Sequence, residues 1–281
     1  MAGVKELSAY AKAVGAELFG VASIDRFDGL APERDPRSIF PEARSAVVLG
    51  RRIPRGALRG VEEGTNFTNY TLYGYEWLDN RFTSLATFRV AEFLEDHGWE
   101  AIPLPNLPPE VPPMGVAVRE GQVPPNVLLD LDDAAVRAGV GEIGYCGVLL
   151  TPEFGPRQRI QMILTDAILD PSPILPDDIC PRSKCKVLCP LDAFTGEKEL
   201  VVCGKKMKVA EIDYDKCRAC KNGARPNRYH PAGKPDRIAA VCVRSCVDFL
   251  ERSERVSNRF ATPFRTRKPW QIGQETDFYR L

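Results

Sequence analysis

The stretch "ICPRSKCKVLCPLDAF" (179–194) carries Cys180, Cys185 and Cys189, with Pro190 directly after the last. Farther along, "DKCRACKNG" (215–223) carries Cys217 and Cys220, and "VCVRSC" (241–246) carries Cys242 and Cys246. A two-cluster ferredoxin segment runs C-x2-C-x2-C-x3-C-P, and the fourth cysteine of each run ligates the other cluster. Cys185-x3-Cys189-Pro190 keeps the end of such a run. Cys217-x2-Cys220 keeps a beginning and Cys242-x3-Cys246 an end, so the second run reads as split by a 21-residue insertion. Thiolates in this pattern hold iron–sulfur clusters, which move single electrons. Zinc is the structural alternative, because C-x2-C pairs also build zinc ribbons. The Cys-Pro step and the three-residue gaps favour iron. The crossing rule groups Cys189 with Cys217, Cys220 and Cys242. It leaves Cys180, Cys185 and Cys246 for the other cluster, one thiolate short. Cys203 in "VVCGKKMKV" is the expected eighth ligand, with Cys146 or a non-cysteine group as the alternatives.

Composition sets the surroundings of this segment. The chain has 281 residues, 44% of them apolar, and a formal net charge of zero. That length holds one large domain or two ordinary ones. Zero net charge implies no broad basic field for nucleic acid. No apolar run approaches the roughly 18 residues needed to span a membrane, and "MAGVKELSAYAKAVGAELFG" has no signal-peptide core. A cytoplasmic location is expected, with no membrane partner. Nine cysteines in a reducing compartment argue for metal binding, not disulfides.

Outward from the cysteines, periodicity predicts alternating helices and strands. Residues 4–16 and 130–139 read as helices. Residues 76–97 read as the longest helix, with Leu78, Phe82, Leu85, Ala86, Phe93 and Leu94 at helical spacing and Gly98 as its stop. "ELFGVA", "SAVVLG", "EAIPL", "GVLL" and "RIQMILTDA" read as strands. Residues 103–125 hold eight of the 24 prolines and read as a loop. An α+β domain over 1–172, a cysteine domain over 173–250 and a tail over 251–281 are expected. The tail would pack back through Phe260, Phe264 and Trp270.

Gly139, Gly141 and Gly144 spell G-x-G-x-x-G. A dinucleotide site needs a strand before that motif and a helix after it, and here the order is reversed. The glycines turn a helix tightly into a strand, or they let the backbone approach a bulky cofactor. Tyr70, Tyr73 and Tyr75 precede the long helix; a tyrosine in a dry pocket can donate a proton, although aromatic packing explains them equally. His97 and His230 are the only histidines, and both read as structural.

The string "AGVGEIGYCGVLLTPEFGPRQRIQMILTDAILDPSP" (138–173), followed by the cysteine groups, resembles the epoxyqueuosine reductase and reductive dehalogenase superfamily. The likeness runs from about residue 40 to 260 and is greatest to its short, epoxyqueuosine reductase-like branch. It implies a nitroreductase-like α/β layer domain joined to a ferredoxin-like domain with two [4Fe-4S] clusters. It also implies cobalamin, bound base-off, with Gly139, Gly141, Gly144, Gly147 and Thr151 lining it. Tyr73 or Tyr75 would supply the proton for an organic small-molecule substrate. The position matching the catalytic aspartate of the tRNA enzymes falls at Pro125-Asn126. Those enzymes' C-terminal repeat domain has no counterpart in these residues, so tRNA is not the expected partner. An iron–sulfur oxidoreductase fed by an external donor such as ferredoxin or flavodoxin is the expected function. A ferredoxin-like carrier or reductive activator is the alternative.

Overall fold

The computed structural model describes residues 3–182 and 184–269. Its strands are β1 (Leu18–Ser23), β2 (Ser45–Arg52), β3 (Ala101–Leu104), β4 (Glu142–Ile143), β5 (Leu149–Leu150), β6 (Gln158–Thr165), β7 (Phe194–Val202) and β8 (Lys205–Ile212). The main sheet has the order β1-β2-β6-β3, and every neighbouring pair in it is antiparallel. With helices packed on it, the fold is α+β.

The central strands are apolar on both faces because both faces are covered. In β2 the first six residues are all buried. Val47 and Leu49, with Ile163 of β6, meet Leu7 and Ala11 of the helix Val4–Ala13 and Val90, Ala91 and Leu94 of the helix Ser84–Asp96. Ala46 and Val48, with Ile160, Met162 and Leu164, point the other way, onto Ala134, Ala135 and Ala138 at the helix Leu131–Arg137. The period of two along each strand therefore feeds two separate cores. Asp130 caps the helix Leu131–Arg137 by accepting from Asp133 N at 3.1 Å.

The long helix differs from its sequence reading. Before Ser84 the chain is already helical from Thr68, but Thr71–Glu76 and Leu78–Thr83 are wound as wider π-turns. Each such turn takes an extra residue and rotates the side chains that follow. Phe82 and Leu85, expected on the inner face, are turned out to solvent. The inner face is formed by Ala86, Thr87, Val90, Ala91 and Leu94. Carbonyls loosened by this winding find partners in β6: Arg159 Nε donates to Gly74 O at 3.0 Å and Gln161 Nε2 to Asp79 O at 2.9 Å.

The cysteine segment is built around the hairpin β7–β8 and the helix Val241–Arg252. Val202, Met207 and Val209 of the hairpin enter the same core as Val48 and Met162. A buried ion pair, Arg244 to Glu62 at 2.5 Å, ties the helix Val241–Arg252 to the helix Arg59–Glu63. In the tail, Phe264 is buried with Ile53, Leu58 and Val61. Phe260 lies under the Arg55 guanidinium, 3.7 Å from ring centre to Cζ. Trp270 lies outside the described residues.

Candidate active site

Eight of the nine cysteines fall into two neighbouring groups. Cys189, Cys217, Cys220 and Cys242 line one small apolar cavity together with Pro190, Phe194 and Arg237. Cys146 and Cys185 are buried in one cluster, against which Cys180 packs; Cys180 also packs against the cluster of Cys246. Among the described residues no three such side chains close on a single ion; Cys189, Cys217, Cys220 and Cys242 surround shared space instead.

The ninth cysteine, Cys203, stands elsewhere. It is exposed at the turn between β7 and β8, where its sulfur lies 3.7 Å from Arg26 O and 4.0 Å from Arg137 Nη1. Cys146 instead sits at the tip of the tight β4–β5 hairpin. That hairpin is the glycine loop, and it explains the motif: a helix precedes it and a strand follows. A Cβ on Gly139 would stand 2.0 Å from Pro173 O, and one on Gly141 would stand 2.1 Å from Leu150 O. Gly144 abuts the Leu150 side chain, and Thr151 is fully buried. These positions are filled by the chain's own packing. Gly147 alone of the five lines the large cleft, with φ +66° and no neighbour within 3.5 Å of an added Cβ.

Glu142 of β4 fixes the first cysteine. Its Oε1 accepts from Ile179 N at 2.9 Å and Cys180 N at 2.6 Å, and Lys205 neutralises it at 3.3 Å. Backbone N–H groups then point at sulfur: Tyr145 N to Cys180 at 3.2 Å and Ala193 N to Cys189 at 3.3 Å. Such donors tune cluster potentials. Burial, together with the thiols of Cys146, Cys180 and Cys242, pushes the Cys246 thiol well up. The Cys146 thiol and burial do the same to Cys185. A cationic centre shared by these sulfurs would relieve that penalty, so the donor set fits a cluster.

Beside the thiols lies a cleft of about 700 Å³, within the roughly 300–1,000 Å³ usual for small-molecule sites. One wall is the glycine hairpin at Ile143 and Gly147–Leu149. A second is the proline loop at Asn106–Glu110, and a third is β7–β8. The insertion between Cys220 and Cys242 forms the fourth. It is closed by backbone pairing of Arg225 with Asp236 and held to the proline loop by Lys234–Glu110 at 2.8 Å.

The tyrosines separate at this cleft. Tyr75 lines it and is 7% exposed. Its ring lies under Arg159, 4.5 Å from Cζ, and its hydroxyl accepts from Arg228 N at 3.3 Å. Burial and the Asp236 carboxylate push the Tyr75 phenol up. Tyr73 is 44% exposed and packs edge-on against Trp77. Tyr70 is fully buried and donates to Asp236 at 2.5 Å, while Arg159 bridges both at 3.0 and 3.1 Å. His97 bonds the carbonyl of Phe93 and His230 its own turn; neither lines the cleft.

Sequence reasoning passed over Asp79, Arg159 and Arg237. Asp79 is 2% exposed and lines the cleft, and its Oδ1 has no hydrogen-bond partner among the described residues. Burial pushes its carboxyl up to about 6. Tyr229 from the insertion is its polar neighbour, 3.4 Å from Oδ2. The spacing Tyr75-x3-Asp79 was the available signal. Asp132, on the opposite wall, is pushed up to about 7 by burial and Asp130. Arg237 lines both the cleft and the small thiol cavity, donating to Cys146 O at 2.7 Å.

No family model matches the chain. Among curated proteins it is 26% identical over 211 residues to tetrachloroethene reductive dehalogenases of Desulfitobacterium hafniense and Dehalobacter restrictus. The match covers 71% of this chain and 31% of each relative, so the chain spans about a third of their length. A solved catabolic reductive dehalogenase superposes with TM-score 0.52 at 14% identity, covering 98% of this chain and 42% of that one. An epoxyqueuosine reductase in complex with a modified tRNA stem loop gives TM-score 0.43 at 18% identity, over 67% and 52%. The sequence likeness is thus to reductive dehalogenases, and the solved catabolic dehalogenase shares the fold.

Proposed function

We propose that this chain is an iron–sulfur oxidoreductase that delivers electrons through two [4Fe-4S] clusters to a cleft holding a corrinoid and an organic substrate. The observation that carries the reading is the gathering of eight thiols, five of them buried, next to that cleft, to which Arg237 and Gly147 join them. The layer over the main sheet would then be nitroreductase-like and the cysteine segment ferredoxin-like. Cys189, Cys217, Cys220 and Cys242 would hold one cluster. Cys180, Cys185 and Cys246 would hold the other, with Cys146 in place of Cys203 as its fourth ligand. Cys146 adjoins Gly147, so the second cluster would be the one beside the cleft.

Three features of the cleft suit a broad, flat cofactor. Gly147 presents bare backbone, the proline loop gives a rigid facing wall, and Leu200, Val209 and Ala210 supply an apolar side. With no histidine in the lining, a corrinoid would be held base-off. Such a cofactor, when bound, supplies the low-potential metal chemistry that cleaves a bond in the substrate; the protein supplies orientation and protons. Tyr75 would give up its phenolic proton, and Arg159 over its ring stabilises the anion that remains. Asp79, four residues on, is a second proton-holding group in the same wall.

The tetrachloroethene dehalogenases named above act on a chlorinated alkene, and the epoxyqueuosine reductase acts on tRNA. The Asp79–Tyr229 wall with its polar groups favours a small polar substrate for this chain. The test is anaerobic purification with cluster reconstitution. About eight irons per chain are expected, and cob(II)alamin should bind with an EPR signal lacking the lower nitrogen ligand. Stoichiometric zinc without iron would sink the redox reading. Full clusters with no corrinoid binding would leave an electron carrier.

A further inference from the structure

The two segments that supply Cys189, Cys217 and Cys220, three of the four thiols around the small cavity, carry basic residues and no acidic ones. Pro181–Leu191 contains Arg182, Lys184 and Lys186 and no acidic residue; Lys216–Lys221 contains Lys216, Arg218 and Lys221 and none either. Glu197 of β7 lies within electrostatic reach of Lys186 but is itself paired with Lys208; other acidic neighbours stand at the edges of the two segments. Asp215 is held by Arg218 at 2.5 Å, Asp178 is held by Arg182 at 2.7 Å, and Asp192 contributes its carbonyl to Lys216 Nζ at 3.1 Å. Within this rim the surface is apolar. Val187, between Cys185 and Cys189, is 83% exposed. Pro190, Leu191 and Lys216 are themselves part of the lining of the cavity around Cys189, Cys217, Cys220 and Cys242. Two of those four thiols, Cys189 and Cys220, are incompletely buried. An exposed apolar centre with a ring of cations, one residue deep over redox ligands, has the anatomy of a transient interface.

Charge compensation of the cluster is the competing explanation for these cations. The sulfurs, however, receive their hydrogen bonds from backbone N–H groups such as Ala193 N. Lys186, Lys216 and Lys221 are exposed, where a charge is screened within about 10 Å at 0.1 M salt and is open to an approaching partner.

Resting on the cluster assignment above, we infer that the face formed by Val187, Pro190 and Leu191 and rimmed by Lys186, Lys216 and Lys221 docks a small acidic one-electron carrier protein, which reduces the cluster at Cys189, Cys217, Cys220 and Cys242. The balance is simple. The carrier loses one electron, the cluster gains one, and no bond or proton on this chain changes.

The experiment is stopped-flow reduction of the reconstituted holoprotein by an acidic flavodoxin in its hydroquinone form, at low and high ionic strength. Wild-type protein should react fastest at low salt. The double variant Lys186→Glu/Lys221→Glu, at two rim cations outside the thiol cavity, should lose at least about tenfold in second-order rate there, because steering of this kind is worth about 10–10³ in rate, and its salt dependence should weaken or vanish. Val187→Asp, which keeps the cations, should weaken the complex at both salt concentrations. Iron content and cluster midpoint potentials should be those of wild type, and reduction by titanium(III) citrate should stay within about twofold. Unchanged flavodoxin rates in the double variant, or equal losses with both reductants, would overturn the docking face while leaving the clusters in place. Absence of iron from the wild-type holoprotein would sink the cluster assignment itself.

Discussion

At the residue scale the cleft turns on a few buried polar groups whose protonation the fold has shifted. Tyr75 and Asp79 share a wall. Tyr75→Phe should lower turnover by about 10²–10⁴-fold with iron content unchanged, measured as single-turnover product formation; retained turnover would assign the proton to another group. Asp79 offers a pH test. Burial raises its carboxyl from 3.8 to about 6, so the folded state favours the protonated form. That preference stabilises the fold fully below about pH 4 and is lost as pH rises through about 6. At one pH unit per about 1.4 kcal/mol, the loss is on the order of 2–3 kcal/mol. Asp79→Asn should flatten denaturant stability between pH 4 and 6 and leave the variant the more stable protein at pH 8. A variant with the wild-type pH profile would mean that Asp79 does not carry the shift. Arg237 makes the third case: its Nη1 is buried without a partner among the described residues, beside thiols of both groups. A charge-assisted hydrogen bond of about 1.5–3 kcal/mol, at 59 mV per factor of ten for one electron, predicts that Arg237→Gln lowers a cluster potential by on the order of 60 mV in an EPR-monitored titration.

At the element scale the pattern along the chain was most legible where one periodicity held unbroken. β1, β2, β3 and β6 were readable because β-branched and apolar runs ended at charges or glycines. The helix at 131–137 was readable from its aspartate cap and alanine face. The long helix was not, because hydrogen bonds from β6 side chains pull carbonyls out of register and admit the π-turns; no pattern within 68–96 encodes partners at Arg159 and Gln161. The glycine motif was legible as a tight helix-to-strand turn, yet its packing partners, Pro173 O and Leu150 O, are supplied from outside it. Arg244 is likewise invisible in the sequence, standing between cysteines on the helix Val241–Arg252. It is 1% exposed and paired with an equally buried Glu62. Removing one member of such a pair strands the other charge, at about 3–5 kcal/mol. Arg244→Met should therefore lower unfolding stability by that amount in a denaturant titration of the holoprotein. A loss below about 1 kcal/mol would show that Glu62 is satisfied by other groups.

At the scale of the whole molecule, the thiols of one group come from places far apart in the chain. Cys146 is carried by a hairpin that opens off the main sheet's side of the protein, while Cys180, Cys185 and Cys246 belong to the cysteine segment. Cys203 was expected because it stands nearer the first group in sequence, on a hairpin that could reach the cluster. The hairpin β7–β8 is a ladder of paired strands that carries Cys203 to its far tip, beside Arg26 and Arg137. The same ladder brings Tyr145 O to Ala210 N at 2.8 Å and so seats Cys146 over Cys185. The assignment proposed above exchanges the two candidates, and the exchange is measurable. Cys146→Ser should lower iron from about eight toward about four per chain, or leave one cluster with altered low-temperature EPR. It should also loosen the hairpin against the cysteine segment, because a ligand that joins two parts of a fold contributes its binding energy to their docking. Cys203→Ser should keep all the iron and both EPR signals. The reverse result, iron lost with Cys203 and kept without Cys146, would mean that the β7–β8 turn reaches a cluster in the assembled holoprotein and that the arrangement of thiols described above is not the one that holds iron.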